Sequence, residues 1–152
     1  MKKPFFPRLS KEVYEELAAF SFFSKIPLKI FIHIAIEAAV HRRRLRGNLR
    51  RVQKVQGKKR KRNVEVVKVE AFVEDTSWET LKDISYTDEI PIVDFVEGAI
   101  LDAIDFFSTE MGRGMLVLTK PPKLSVMLRK KEDKEWAYEV LRRWKGEIEK
   151  GF

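Results

Sequence analysis

The sequence predicts an α+β fold, mainly helical, built from two tandem strand-helix-helix units and a C-terminal strand-strand-helix extension. Three observations carry this. Ser24 to Val40, SKIPLKIFIHIAIEAAV, recurs 64 residues later as Asp88 to Ile104, DEIPIVDFVEGAILDAI, and the alignment from Tyr14 to Val40 holds nine identities in 27 positions without a gap. Each copy of that helical stretch follows a shorter helical stretch and, before it, an alternating segment. A lone strand with two short helices cannot satisfy its backbone or bury both stripes, so the two units must associate. The units are read as residues 1–46 and 64–107, joined by a basic linker or arm at 47–63 and followed by the extension at 108–152.

In the first unit Pro4 to Leu9, PFFPRL, is extended, because Pro7 disfavours helix at Phe6. Ser10 is a good N-cap, Glu12 suits a first turn, and Val13, Leu17 and Phe20 form one stripe. Ser24 is read as the cap of a second helix whose first turn tolerates Pro27. Its stripe is Leu28, Phe31, Ile32, Ala35, Ile36, Ala39 and Val40. In the second unit Val66 to Glu74 alternates as a strand, Thr76 with Glu79 reads as a capping box, and Asp88 takes the place of Ser24 before a helix from about Glu89 to Phe107. In the extension, Met111 to Gly114 reads as a turn, MLVLT and KLSVMLR as short strands flanking Pro121 and Pro122, and Glu132 to Glu149 as an amphipathic helix with Trp136, Val140, Leu141 and Trp144 on its stripe. The first unit's second helix is apolar nearly all round, so Ile30 and Ile34 need cover, from the extension first and from another subunit second.

The chain of 152 residues has no cysteine, which removes disulfides and thiolate metal sites. No apolar run is long enough for a membrane span, and the amino terminus lacks the apolar core of a signal peptide and reads as mature structure. The absence of cysteine fits a cytoplasmic location, which is the expectation. The net charge of +8 is unevenly spread. From Arg42 to Arg62 there are twelve Lys and Arg and no acid, whereas the remainder carries 19 basic against 23 acidic residues. One segment therefore carries the positive field and is expected to meet a polyanion. Its cations, Arg42, Arg43, Arg44, Arg46, Arg50, Arg51, Lys54, Lys58, Lys59, Arg60, Lys61 and Arg62, are the candidate phosphate contacts, with Lys2 and Lys3 at the amino terminus. Leu49 to Val55 alternates without a clean apolar face and Gln56 with Gly57 can turn, so a basic hairpin running into the strand at Val64 and an arm disordered without DNA both stand.

The pattern RLSKEVYEELAAF at Arg8 to Phe20 followed by KIPLKIFIHIAIEAAV at Lys25 to Val40 resembles the ribbon-helix-helix family of DNA-binding regulators, the superfamily of the Arc and Met repressors. Leu9, Ser10, Val13 and Leu17 match the family's spacing, and the likeness covers about two thirds of the chain. The chain is similar in this to tandem single-chain regulators of archaeal viruses, and its charge-rich composition to proteins of hyperthermophiles. The resemblance implies an intramolecular pseudodimer of two ribbon-helix-helix units, with Pro4 to Leu9 antiparallel to Lys68 to Val73 and that ribbon lying in the DNA major groove. It assigns base reading to Phe6, Arg8, Lys68, Glu70 and Phe72. Arg8 would meet guanine and Glu70 a cytosine amino group, each worth ~1–3 kcal/mol of discrimination. It also assigns a phosphate to the second helix's start, at Lys25 and Ile26 aided by Lys29. Asp88, Glu89 and Asp94 crowd the equivalent place in the second copy and would repel one. The alternative is a ribbon that is a structural remnant, with DNA bound elsewhere.

No catalytic constellation stands out. His33 and His41 are too far apart in sequence for a metal pair, Glu97, Asp102 and Asp105 read as a solvated helix face, and MGRGM is too short for a phosphate-cradling loop. The expectation is a sequence-specific regulator of transcription bound to double-stranded DNA, not an enzyme. It calls for no cofactor, metal, membrane or small-molecule substrate, and self-association along DNA is a further expectation. An architectural DNA-coating protein of weak specificity and an antitoxin-type protein-interaction module are the alternatives.

Overall fold

A computed structural model describes residues 2–46, 65–119 and 126–150. Strand β1 (Lys2–Phe5) and β2 (Arg8–Ser10) lead into helices α1 (Lys11–Ser24) and α2 (Leu28–Arg46). Strands β3 (Val66–Lys68) and β4 (Ala71–Glu74) lead into α3 (Asp75–Asp88) and α4 (Ile92–Ser108), followed by α5 (Glu110–Thr119) and α6 (Val126–Glu149). β1 runs antiparallel to β4 with Pro4 opposite Phe72, and β2 antiparallel to β3 with Arg8 opposite Lys68. The break between the two ladders falls at Phe6 and Pro7, where proline has no N–H to offer; the Pro7 carbonyl still accepts from Val69 N–H at 3.0 Å.

The 64-residue repeat reappears in the element boundaries. α1 and α3 both span 14 residues, and Lys11, Ser24 and Leu28 correspond to Asp75, Asp88 and Ile92. The corner after the first helix is the same in both copies, with Lys25 at φ 61° and Glu89 at φ 56°, the left-handed conformation that ends a helix. Pro27 and Pro91 then open the next helix, their carbonyls accepting from Phe31 and Phe95 at 3.0 and 3.1 Å. Ser24 and Asp88, read from the sequence as caps of the second helices, are instead the last residues of the first ones. Glu74, not Thr76, is the N-cap of α3.

The predicted fold class is corrected here. The chain is mainly helical, with six helices and two small two-stranded antiparallel sheets among the described residues, and a tandem ribbon-helix-helix pseudodimer is not what it shows. The predicted C-terminal hairpin is absent from the described residues. Met111 to Thr119 lie in α5, and α6 already begins at Val126. β propensity in MLVLT yields to tertiary packing, since Met115 is buried and Leu116 packs on the core. Gly112, which suggested a turn, is needed inside the helix: a Cβ there would lie 2.1 Å from the Phe106 carbonyl oxygen.

The core gathers around α2, whose residues Phe31 to Val40 are all buried. Aromatic rings link the helices in sequence: Phe20 of α1 to Phe31 of α2 at 4.9 Å, Phe31 to Phe107 of α4 at 6.1 Å, and Phe107 to Trp144 of α6 at 5.0 Å. Trp144 also stacks on Phe106 at 4.7 Å with the rings 5° from parallel. Among the described residues α6 makes the most extensive helix–helix contact, along α2, and Ile34 is fully buried. The C-terminal region therefore completes the core that α2 needs on its outer side.

Candidate nucleic-acid interface

α2 lies along the free edge of β4, and the two lattices match. Four residues of helix rise about 6 Å and two residues of strand about 6.6 Å, so helix positions four apart meet strand positions two apart. Lys29 pairs with Glu70 at 3.0 Å, His33 Nδ1–H donates to the Phe72 carbonyl at 3.0 Å, and Glu37 accepts from Glu74 N–H at 3.1 Å. The second oxygen of Glu37 accepts from the Ser77 hydroxyl at 2.6 Å. Glu37 thus caps α3 from another element, because the N-cap residue Glu74 makes no side-chain cap bond of its own. In the first copy Ser10 caps α1 through Val13 N–H, and its own N–H donates to Glu97 of α4 at 2.6 Å. Each copy's second helix therefore holds the strand of the other.

This clamp fixes which strand residues face solvent. Arg8 and Lys68 stand directly opposite one another and both are exposed. Lys68 Nζ sits 5.2 Å over the Phe6 ring, and Phe6 is 54% exposed. Among the described residues neither Arg8 nor Lys68 has a salt-bridge partner, although like charges placed directly across two strands destabilise the pair. Phe72 is not presented in the same way: it is half-buried, its ring stacked on His33 at 4.3 Å and 15°. Glu70 is engaged by Lys29, which also reaches the Phe72 ring at 5.5 Å. Of the five predicted base readers, the structure brings Phe6, Arg8 and Lys68 together on one exposed face.

The predicted phosphate contacts divide sharply. Arg42 is buried and paired with Asp102, each side chain 6% exposed. Arg43 pairs with Asp88 at 2.7 Å, and Arg44 donates to the Thr76 carbonyl at 3.0 Å and the Thr80 hydroxyl at 2.8 Å. These three arginines tie α2 to α3 and α4, and the reading of Asp88 and Asp102 as solvated or repelling carboxylates is corrected with them. Lys25 spends its N–H on the Ser21 carbonyl at 2.8 Å, and Ile26 is buried with its carbonyl accepting from the Ser21 hydroxyl at 2.5 Å. The N–H of Lys25 is therefore not free for a phosphate, and Ile26 is not on the surface. Lys3 lies over Trp78 at 4.9 Å, and Lys2 sits in β1 opposite Glu74. Arg46 ends α2. Arg50, Arg51, Lys54, Lys58, Lys59, Arg60, Lys61 and Arg62, with the rest of the expected arm at 47–63, lie outside the described residues.

The sequence reading missed Glu37, His33 and Glu97 as positioning groups. A signal was available for Glu37, a lone carboxylate inside the otherwise apolar IAIEAAV. Among the described residues no cluster of His, Cys, Asp and Glu could hold a metal ion, and no single helix is long and apolar enough to cross a membrane. No known protein family matches the chain, and no curated protein or solved structure is significantly similar to it.

Proposed function

We propose that the chain is a sequence-specific regulator that binds double-stranded DNA, with Arg8, Lys68 and Phe6 against the bases and the basic arm on the phosphates. The observation that carries this is the opposed pair Arg8 and Lys68. Two cations face each other across a strand ladder with no acid between them among the described residues, beside an exposed phenylalanine. The like-charge pair itself destabilises the free protein, whereas a polyanion laid over it relieves the repulsion. A two-stranded antiparallel segment has the width the major groove admits, and an arginine on it is placed for guanine O6 and N7. Removing Arg42, Arg43 and Arg44 from the twelve cations of the basic segment leaves nine in the sequence for phosphates. An arm with six to ten phosphate contacts loses about 10³ to 10⁵ in affinity between low and moderate salt.

The test is a salt-varied anisotropy titration on a duplex from upstream of the protein's own gene and on a scrambled duplex, with wild type, Arg8→Ala and Lys68→Ala. Regulation by base reading requires roughly 10³-fold preference for the upstream duplex and its erosion in Arg8→Ala. Equal binding of both duplexes, weakened only when the arm is neutralised, would instead mark a DNA-coating protein.

A further inference from the structure

The duplication has left an exposed aromatic at the same point of both copies. Phe22 is 79% exposed in the last turn of α1, and its counterpart Tyr86 is 90% exposed in the last turn of α3. Phe23, beside Phe22, is 81% exposed. Phe22 and Phe23 lie ring against ring at 5.7 Å, a contiguous exposed aromatic patch of the kind found at interaction surfaces.

Charge tells the two surfaces apart. The left-handed corner that follows each ring carries an exposed Lys25 in the first copy and an exposed Glu89 in the second. The acid Asp83 accompanies Tyr86, and the cation Arg113 lines a cleft of about 450 Å³ whose walls include Phe20, Phe23, Phe107 and Leu116. Among the described residues none of Lys25, Glu89, Asp83 and Arg113 has a salt-bridge partner. One surface is therefore aromatic, hollow and basic; the other is aromatic, projecting and acidic. Pairing either surface with itself would oppose like charges, and pairing one with the other opposes unlike ones.

We propose that the chain associates with further copies of itself head to tail, the Tyr86 surface of one docking on the Phe22 and Phe23 surface of the next. The phenol ring enters the cleft, Arg113 donates to its hydroxyl, and Lys25 of one copy meets Glu89 of the other. Such a contact joins two different patches, so it extends into an open array unless the rotation closes it. With only a few rings and charges in contact, a weak association is expected, with a dissociation constant on the order of 10 to 100 µM. The contact needs no DNA, and its fate is separate from that of the DNA-binding reading.

Sedimentation velocity and equilibrium on the full chain without DNA test it. Wild type is expected to show concentration-dependent mass growth beyond a dimer. Phe22→Ala/Phe23→Ala and Tyr86→Ala are expected to be monomers separately, and their equimolar mixture to form a 1:1 dimer that grows no further. These rings are exposed, so folding is retained, and circular dichroism verifies it. Lys25→Glu and Glu89→Lys should each weaken association by roughly tenfold or more, and the two together should restore it. A wild type that stays monomeric across the range, a Tyr86→Ala variant that associates like wild type, or a mixture that remains monomeric would each overturn the proposal.

Discussion

Arg42 of α2 and Asp102 of α4 form a buried ion pair between the second helices of the two copies, each side chain 6% exposed. The two helices pack against each other, and on both the alanines within a turn of the pair, Ala38 and Ala39 on one and Ala99 and Ala103 on the other, are buried as well. Removing one member strands a charge without water, so Asp102→Ala is expected to cost about 3 to 5 kcal/mol. Replacing both with apolar residues of similar volume, Arg42→Met with Asp102→Leu, is expected to be neutral or stabilising. Urea unfolding of the two variants checks this. Equal losses in both would show that the site needs the charges for more than mutual neutralisation.

The Glu37 carboxylate holds two donors from the other copy, the Glu74 N–H and the Ser77 hydroxyl. Glu37→Ala leaves both without an acceptor and removes a negative charge from the start of α3, for a loss of about 2 to 4 kcal/mol. Glu37→Gln keeps one acceptor and the shape, and should lose about half as much. Hydrogen exchange provides the local readout: the Glu74 amide should lose protection well beyond the global change. If it does not, the cap is not what keeps the strand end closed.

The repeat made the correspondence of the helices legible, since a single 64-residue offset relates Lys11 to Asp75 and Leu28 to Ile92, but not their ends, since Ser24 and Asp88 close the first helix of each copy and do not cap the second. It also hid the chain's asymmetries. Arg42 and Asp102 correspond to Phe106 and Ala38 in the other copy, so aligning the copies does not reveal the pair. What would reveal it is one charge of each sign interrupting an apolar stripe on each of two helices that the repeat already places together. The C-terminal region gave no such hint. Gly112 and Gly114, with Pro121 and Pro122, suggest turns between strands, and the requirement for Gly112 arises from the Phe106 carbonyl beneath it, which only the packed structure supplies.

Lys25 and Glu89 occupy a conformation that glycine adopts without penalty and that costs other L-residues about 1 to 2 kcal/mol. Lys25→Gly and Glu89→Gly should therefore each raise stability, by about 1 kcal/mol. The midpoint of urea unfolding should rise at constant slope, and a fall would mean that the side chains contribute packing beyond the helix end. The stabilised variants should at the same time associate more weakly, as expected if the charges at these corners serve the contact between copies.

Arg8 and Lys68 present the same conflict between stability and function at the proposed DNA face. Directly opposed like charges across a ladder cost a few tenths of a kcal/mol to about 1 kcal/mol, and salt screens the repulsion. Arg8→Glu converts the pair to opposite charges, so the free protein should become more stable by about 0.5 to 1 kcal/mol, more so at low salt. The same substitution places an acid against the base edges and phosphates, and should lower affinity for the upstream duplex by at least about a hundredfold. Unfolding at two ionic strengths and anisotropy on one duplex measure both effects on one sample. A variant that gained stability without losing DNA affinity would remove Arg8 from the interface and move DNA recognition to another surface of the molecule.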